Sequence, residues 1–240
     1  MTNLTTCADA EAASKRAAAE IARRLANARR QRGAAHVALS GGTTPARTYE
    51  LLHAELDSWD AIDVWFADER CVGPDDDESN YKLAAQTLLD DAPGLDPRRV
   101  HRMKGELGPE PGAASYTAEL REHAPIDAGL AVLDVIVLGI GPDGHVASLF
   151  PGAPQLVAPD SELCLGVHDS PKPPPERITL SLSVLRAARR CVLLATGASK
   201  ADAVSAMLNG PSRHVPASLL RRGRLSVIVD DAAGPAPLHA

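Results

Sequence analysis

The sequence predicts an α/β fold, doubly wound around a mainly parallel sheet with helices on both faces. Two observations point there. Short apolar runs recur along the chain and are apolar throughout rather than alternating, as strands buried on both faces must be. Longer stretches with helical spacing separate them, the order expected of repeated βαβ units. Residues 8–32 mix alanine with Ile21, Leu25 and charged side chains and stop at Gly33, so they read as a surface amphipathic helix. A strand at 35–39 comes after it, then a helix over 45–56 with Pro45 in its first turn. Strand 62–67 comes next, then helices 80–90 and 113–123 and strand 133–138. The second half gives helix 181–189, strand 191–196, helix 200–208 and strand 225–229. Weaker strand signals lie near Val100 and at 163–167. Pro171-Lys172-Pro173-Pro174-Pro175 is a stiff loop, which inside a compact fold reads as an ordered connection rather than a docking motif. No repeat or long linker interrupts the pattern, so residues 1–240 are taken as one domain.

The 240 residues carry 25 Lys and Arg against 31 Asp and Glu, a net charge of −6, and only 3% are aromatic. Nucleic acid and anionic membranes need clustered cations, and single strands need stacking surfaces, so neither partner is expected. Cys7, Cys71, Cys164 and Cys191 lie far apart with no C-x-x-C pair, which suits a reducing cytoplasm rather than a zinc knuckle or disulfide framework. No targeting segment is visible, and no run approaches the about 18 apolar residues of a membrane span. The absence of an obvious apolar aromatic patch favours a monomer.

In such sheets ligands sit beyond the carboxyl ends of the strands, so the loops there are where chemistry is sought. The first, Ser40-Gly41-Gly42-Thr43-Thr44-Pro45, runs from a strand into a helix. Its glycines allow close backbone approach, its hydroxyls add donors, and free amides at the helix start would hold a phosphate. A capped helix after a tight turn would look the same without any ligand. The G-K-[ST] ending of a Walker loop is missing, and Ala38 stands where a serine-hydrolase elbow wants glycine.

The second loop, Asp68-Glu69-Arg70, puts two carboxylates and a guanidinium on one rim, although a surface ion pair would read the same. Asp75-Asp76-Asp77-Glu78 lacks the spacing of a calcium loop and reads as solvated. The third loop, Gly139-Ile140-Gly141-Pro142-Asp143-Gly144-His145, satisfies G-x-G-x-x-G. Pro151, Pro154 and Pro159 interrupt the segment after it, so the helix that a dinucleotide fingerprint must open is not expected. The loop does offer His145 beside Asp143, where a base would be useful. Arg177 after the proline loop and Lys200 at a helix start add cations.

This ordered set, together with Ser170-Pro171-Lys172-Pro173-Pro174-Pro175-Glu176-Arg177-Ile178-Thr179, resembles the 6-phosphogluconolactonase family over nearly the whole chain. The wider superfamily includes glucosamine-6-phosphate deaminase, which has Asp-Glu-Tyr where this chain has Asp68-Glu69-Arg70. A deaminase or related sugar-phosphate isomerase is therefore the alternative. The resemblance implies a hydrolase without cofactor or metal, opening 6-phospho-glucono-1,5-lactone. His145 is expected as general base, with Asp143 orienting it and Asp68 as a second catalytic carboxylate. Ser40, Gly41, Gly42, Thr43, Thr44, Arg70, Gly144, Arg177 and Lys200 are expected to bind the substrate and its phosphate.

Overall fold

The computed structural model describes residues 3–235. Strand β1 (Asn3–Cys7) leads into helix α1 (Ala10–Arg32), β2 (Ala35–Leu39), α2 (Thr43–Leu52), β3 (Ile62–Phe66) and the short β4 (Asp68–Arg70). Helices α3 (Asn80–Ala84) and α4 (Pro109–His123) precede the hairpin of β5 (Ile126–Asp127) and β6 (Leu130–Ala131). The second half holds β7 (Val135–Gly139), β8 (Cys164–Val167), β9 (Arg177–Leu180), α5 (Leu182–Ala187), β10 (Cys191–Ala195), α6 (Ala201–Asn209) and β11 (Leu225–Asp230).

Six strands form one parallel sheet in the order β1-β11-β10-β7-β2-β3. Every residue of β2, β3, β10 and β11 is buried, as an apolar strand covered on both faces must be. Helix α1 lies along this sheet through Ala13, Ala17, Ile21 and Leu25, all fully buried. Asp9 caps its start and Gly33, with φ +80°, ends it. From β2 the chain moves one way to β3, while β7, β10 and β11 extend the other way. The β2/β7 boundary is thus the switch point, where the loops leaving the two strands part and a crevice opens.

The chain leaves the sheet at two places by the same device. At the end of β2, the buried Tyr49 hydroxyl accepts from the Ser40 N–H at 2.9 Å and donates to the Ser40 carbonyl at 2.8 Å. At the end of β3, Tyr116 accepts from the Phe66 N–H at 2.8 Å and donates to its carbonyl at 3.3 Å. Each tyrosine satisfies a donor and an acceptor that have no strand partner at that point.

Four details differ from the sequence reading. Residues 3–7, polar and without a strand signal, form an edge strand in which Leu4, Thr5 and Cys7 are partly covered and Asn3 and Thr6 exposed. The 62–67 run ends as a strand at Phe66, and β4 turns into a second, antiparallel sheet of order β4-β9-β8. The weak signal at 163–167 belongs to that smaller sheet, whose middle strand β9 is not evident in the sequence because its Arg177-Ile178-Thr179 start looks polar. Near Val100 there is a single bridge to Val64 rather than a strand.

Replacing Tyr49 with Phe strands the Ser40 N–H and carbonyl in the interior. A loss of about 1–3 kcal/mol in urea-measured unfolding free energy is expected; an unchanged midpoint would count against this anchoring role.

Candidate active site

A cavity of about 290 Å³ lies between the loops following β2, β7 and β10 and the face of the small sheet. In the first loop, Gly42 takes φ +109° as N-cap of α2, and among the described residues no side chain caps this ten-residue helix. Its first-turn amides are therefore open to an anion. Thr43 and Thr44 line the cavity, and the Thr44 hydroxyl lies 3.0 Å from that of Thr196. Gly41 is required by contact: a Cβ there would sit 1.8 Å from Asn80 Oδ1. The Ser40 hydroxyl donates to the Val137 carbonyl at 2.8 Å, tying β2 to β7 across the switch point.

The second motif is split by strand alternation. Asp68 and Arg70 line the cavity, whereas Glu69 turns away from it. Buried to 2% exposure, the Glu69 carboxylate accepts from the N–H groups of Arg70, Asn80 and Tyr81 at 2.7–2.8 Å and from the Ser79 hydroxyl at 3.1 Å. Burial raises its pKa, and those amides work in the opposite direction. Asp68 accepts from the Ser148 hydroxyl at 2.7 Å and from Asn80 Nδ2 at 3.3 Å.

In the β4/β9 pairing Arg70 stands directly opposite Arg177. Like charges opposed across a ladder are unfavourable, so the pair makes sense where an anion sits on both. Arg177 is 5% exposed, and burial lowers its pKa, opposed by nearby Asp68. It donates to the carbonyls of Lys172, Pro173 and Pro174, each at 3.1 Å. It thereby folds the proline loop so that Lys172 enters the cavity. Lys200 completes the cations there, its pKa lowered by burial and then by Lys172.

His145 Nδ1 lies 2.5 Å from Asp143 Oδ1, and its ring packs 4.7 Å from that of Phe150. Burial lowers the His145 pKa, outweighing the opposing pull of Asp143, and Lys172 lowers it further. Burial would raise the Asp143 carboxyl, but His145 and then Lys172 outweigh it and hold it below its ordinary value. At neutral pH the pair is a neutral imidazole donating Nδ1–H to a carboxylate, which leaves the Nε2 lone pair to accept a proton. Gly141 makes room for this: a Cβ would meet His145 Nδ1 at 2.1 Å and Asp143 Oδ1 at 2.3 Å.

Of the residues expected from sequence, the cavity gathers Ser40, Gly41, Gly42, Thr43, Thr44, Asp68, Arg70, His145, Arg177 and Lys200. Asp143 stands one step behind, through His145. Gly144 packs beneath Val215 with φ +82° and shapes the loop from outside the cavity lining. Asn80 and Lys172 also line the cavity, and sequence reasoning misses both. Lys172 stands within a conspicuous proline run that reads only as a connection, and Asn80 lies in a helix start with no motif around it. Among the described residues no group of three or more His, Cys, Asp or Glu side chains could hold a metal ion. Residues 140–153 form turns rather than a helix, so the glycine pattern after β7 is not a dinucleotide fingerprint.

The switch point of this doubly wound sheet thus carries a His–Asp pair facing a cluster of cations across one cavity. Similarity to known proteins narrows this. Residues 8–229 match the model of the glucosamine-6-phosphate isomerases/6-phosphogluconolactonase family, and the chain belongs to that family. It is 40% identical over 245 residues to a 6-phosphogluconolactonase of Streptomyces coelicolor, covering 94% of this chain and 90% of that protein. It is 39% identical over 216 residues to one of Mycobacterium leprae, covering 86% and 85%. The solved 6-phosphogluconolactonase of Trypanosoma cruzi superposes with a TM-score of 0.87 at 28% identity, covering 100% of this chain and 98% of that one. A monomeric glucosamine-6-phosphate deaminase, at 23% identity and a TM-score of 0.79, shares the fold.

Asp143 raises the His145 pKa and Lys172 lowers it, so substitutions at the two should move the acid limb of the kcat/KM profile in opposite directions. The limb is expected at lower pH in Asp143→Asn and at higher pH in Lys172→Gln. Limbs that stay put or move together would show that His145 is not the titrating base.

Proposed function

We propose that this chain hydrolyses 6-phospho-glucono-1,5-lactone to 6-phosphogluconate, the reaction of the oxidative pentose phosphate pathway that its relatives are named for. The observation that carries this reading is the neutral His145, anchored by Asp143 and facing Arg70, Lys172, Arg177 and Lys200 across one cavity. A lactone needs a water deprotonated as it attacks the carbonyl carbon. Nε2 of His145 takes that proton while Asp143 holds the resulting imidazolium through Nδ1–H. The tetrahedral intermediate then collapses with cleavage of the bond to the ring oxygen, which receives the proton back from His145. The product carboxylic acid ionises, so one proton is released to solvent per turnover.

Phosphate binding holds the lactone at a set distance from the base, converting remote contacts into alignment at the carbonyl. The α2 amides, with Gly41, Gly42, Thr43 and Thr44, and the opposed Arg70 and Arg177, supply the anion site, with Lys200 beside it. Asp68, held by Ser148 and Asn80, accepts from sugar hydroxyls. Ser40 acts through the loop that it ties down, and Gly144 by shaping the turn that presents His145. No cofactor or metal is required by these steps. We take residues 1–240 as one catalytic domain, acting as a cytoplasmic monomer. Support comes from the family match over 8–229, from four free cysteines, and from the placing of exposed Leu107, Ile126 and Val157 on separate elements.

The test is proton release from freshly generated phosphogluconolactone, measured above its spontaneous opening, with ammonia release from glucosamine 6-phosphate as the control. Acceleration of the first and none of the second is expected. His145→Ala should lower turnover by about 10²–10⁴; a variant close to wild type would remove His145 from this role. Arg70→Ala is expected to reduce kcat/KM for the phosphorylated lactone far more than for unphosphorylated gluconolactone. Equal losses on both lactones would refute a phosphate contact.

A further inference from the structure

A second cluster of cations sits at the opposite edge of the sheet. Asp134, Arg189, Arg190 and Arg224 lie just before β7, β10 and β11, three neighbouring strands, so they are brought together at the amino ends. The later turns of α1 add Arg24, Asn27, Gln31 and Arg32 to the same depression, which measures about 400 Å³. Five-residue strands separate this edge from the catalytic loops by about 16 Å.

The charges do not balance there. Asp134 is shared between Arg32 at 2.6 Å and Arg189 at 3.2 Å, and it also accepts from the His36 N–H at 2.9 Å. Glu20 is shared between Arg24 at 2.7 Å and the Ser226 hydroxyl at 2.7 Å. Among the described residues Arg224 finds only the carbonyls of Ala187 and Ala188, and Arg190 keeps its Nε buried with no partner. Burial, followed by the neighbouring Arg24, lowers the Arg190 pKa. Among the described residues, the four guanidiniums of Arg24, Arg32, Arg189 and Arg224 therefore line the depression against the single carboxylate of Asp134, in a chain whose net charge is −6.

Such crowding is unfavourable until an anion joins it, and guanidinium forks suit phosphate oxygens. The α1 side chains Asn27 and Gln31 add amide donors. Among the described residues no aromatic side chain lines the depression, so nothing there would stack on a base. We propose that it binds a small oligophosphate, independently of the catalytic cleft.

Titration calorimetry of the full chain with inorganic tripolyphosphate, and with orthophosphate in parallel, tests this. With the catalytic cleft disabled by Arg70→Ala and Lys200→Ala, one tripolyphosphate per chain is expected, bound at least about tenfold tighter than orthophosphate. Binding should persist in the Arg70→Ala, Lys200→Ala variant, whose catalytic cleft is disabled. It should weaken at least about tenfold when Arg24→Gln and Arg189→Gln are added to that variant, and Arg24→Gln, Arg189→Gln without the cleft changes should retain lactone hydrolysis. If the double variant does not fold, Arg189→Gln alone, altering a half-exposed side chain, gives the same reading. Absence of saturable binding, loss of binding in the cleft variant, or undiminished affinity in the arginine variants would overturn the proposal.

Discussion

The buried carboxylate of Glu69 faces away from the cavity, yet the cavity depends on it. Taking a carboxylate out of water is costly unless hydrogen bonds replace its hydration, and here three backbone amides and one hydroxyl do so. Those donors belong to β4 and to the start of α3, which Asn80 also joins through Asp68. By joining them, Glu69 sets Asn80 against Gly41 and against Asp68 together. The loop after β2 and the strand β4 thus share one internal tie. Tyr49 and Tyr116 play the corresponding part where β2 and β3 end, each closing a backbone pair that the diverging chain would leave open.

The electrostatics of the cleft arise from neighbours rather than from the sum over the chain. An acidic protein keeps Arg70, Lys172, Arg177 and Lys200 in one cavity because β4, β9, the proline loop and the start of α6 converge there. Their mutual repulsion shows in Lys200, whose ammonium is pushed below its ordinary range by burial and by Lys172. The same surroundings keep His145 unprotonated. Cations that would favour a bound anion also oppose protonation of the imidazole, so the two properties support each other.

Much of this is legible in the sequence because its signals are local. The apolar runs mark the central sheet, and the glycine, hydroxyl and His–Asp clusters mark the loops at its carboxyl ends. The part that is not legible depends on pairing. Whether Asp68-Glu69-Arg70 forms a rim or a strand cannot be read without knowing that Arg177-Ile178-Thr179 lies antiparallel to it, and those three residues carry no strand signal of their own. Lys172 is hidden for a related reason: its place in the cavity comes from Arg177 gripping three carbonyls, a contact between a strand and its own preceding loop. Asn80 gives no warning because its value lies wholly in its contacts with Gly41 and Asp68.

The three residues of β4 impose a rule of parity on the gene. With side chains alternating between cavity and interior, Asp68 and Arg70 face the cavity only while Glu69 faces α3. Exchanges of one side chain for another at 68 or 70 can retune what is bound and leave the frame intact. A single inserted or deleted codon there would send both ligand-facing charges into the interior and bring the anchoring carboxylate out among the cations. Descent within this segment is therefore open to substitution and closed to changes of length by one.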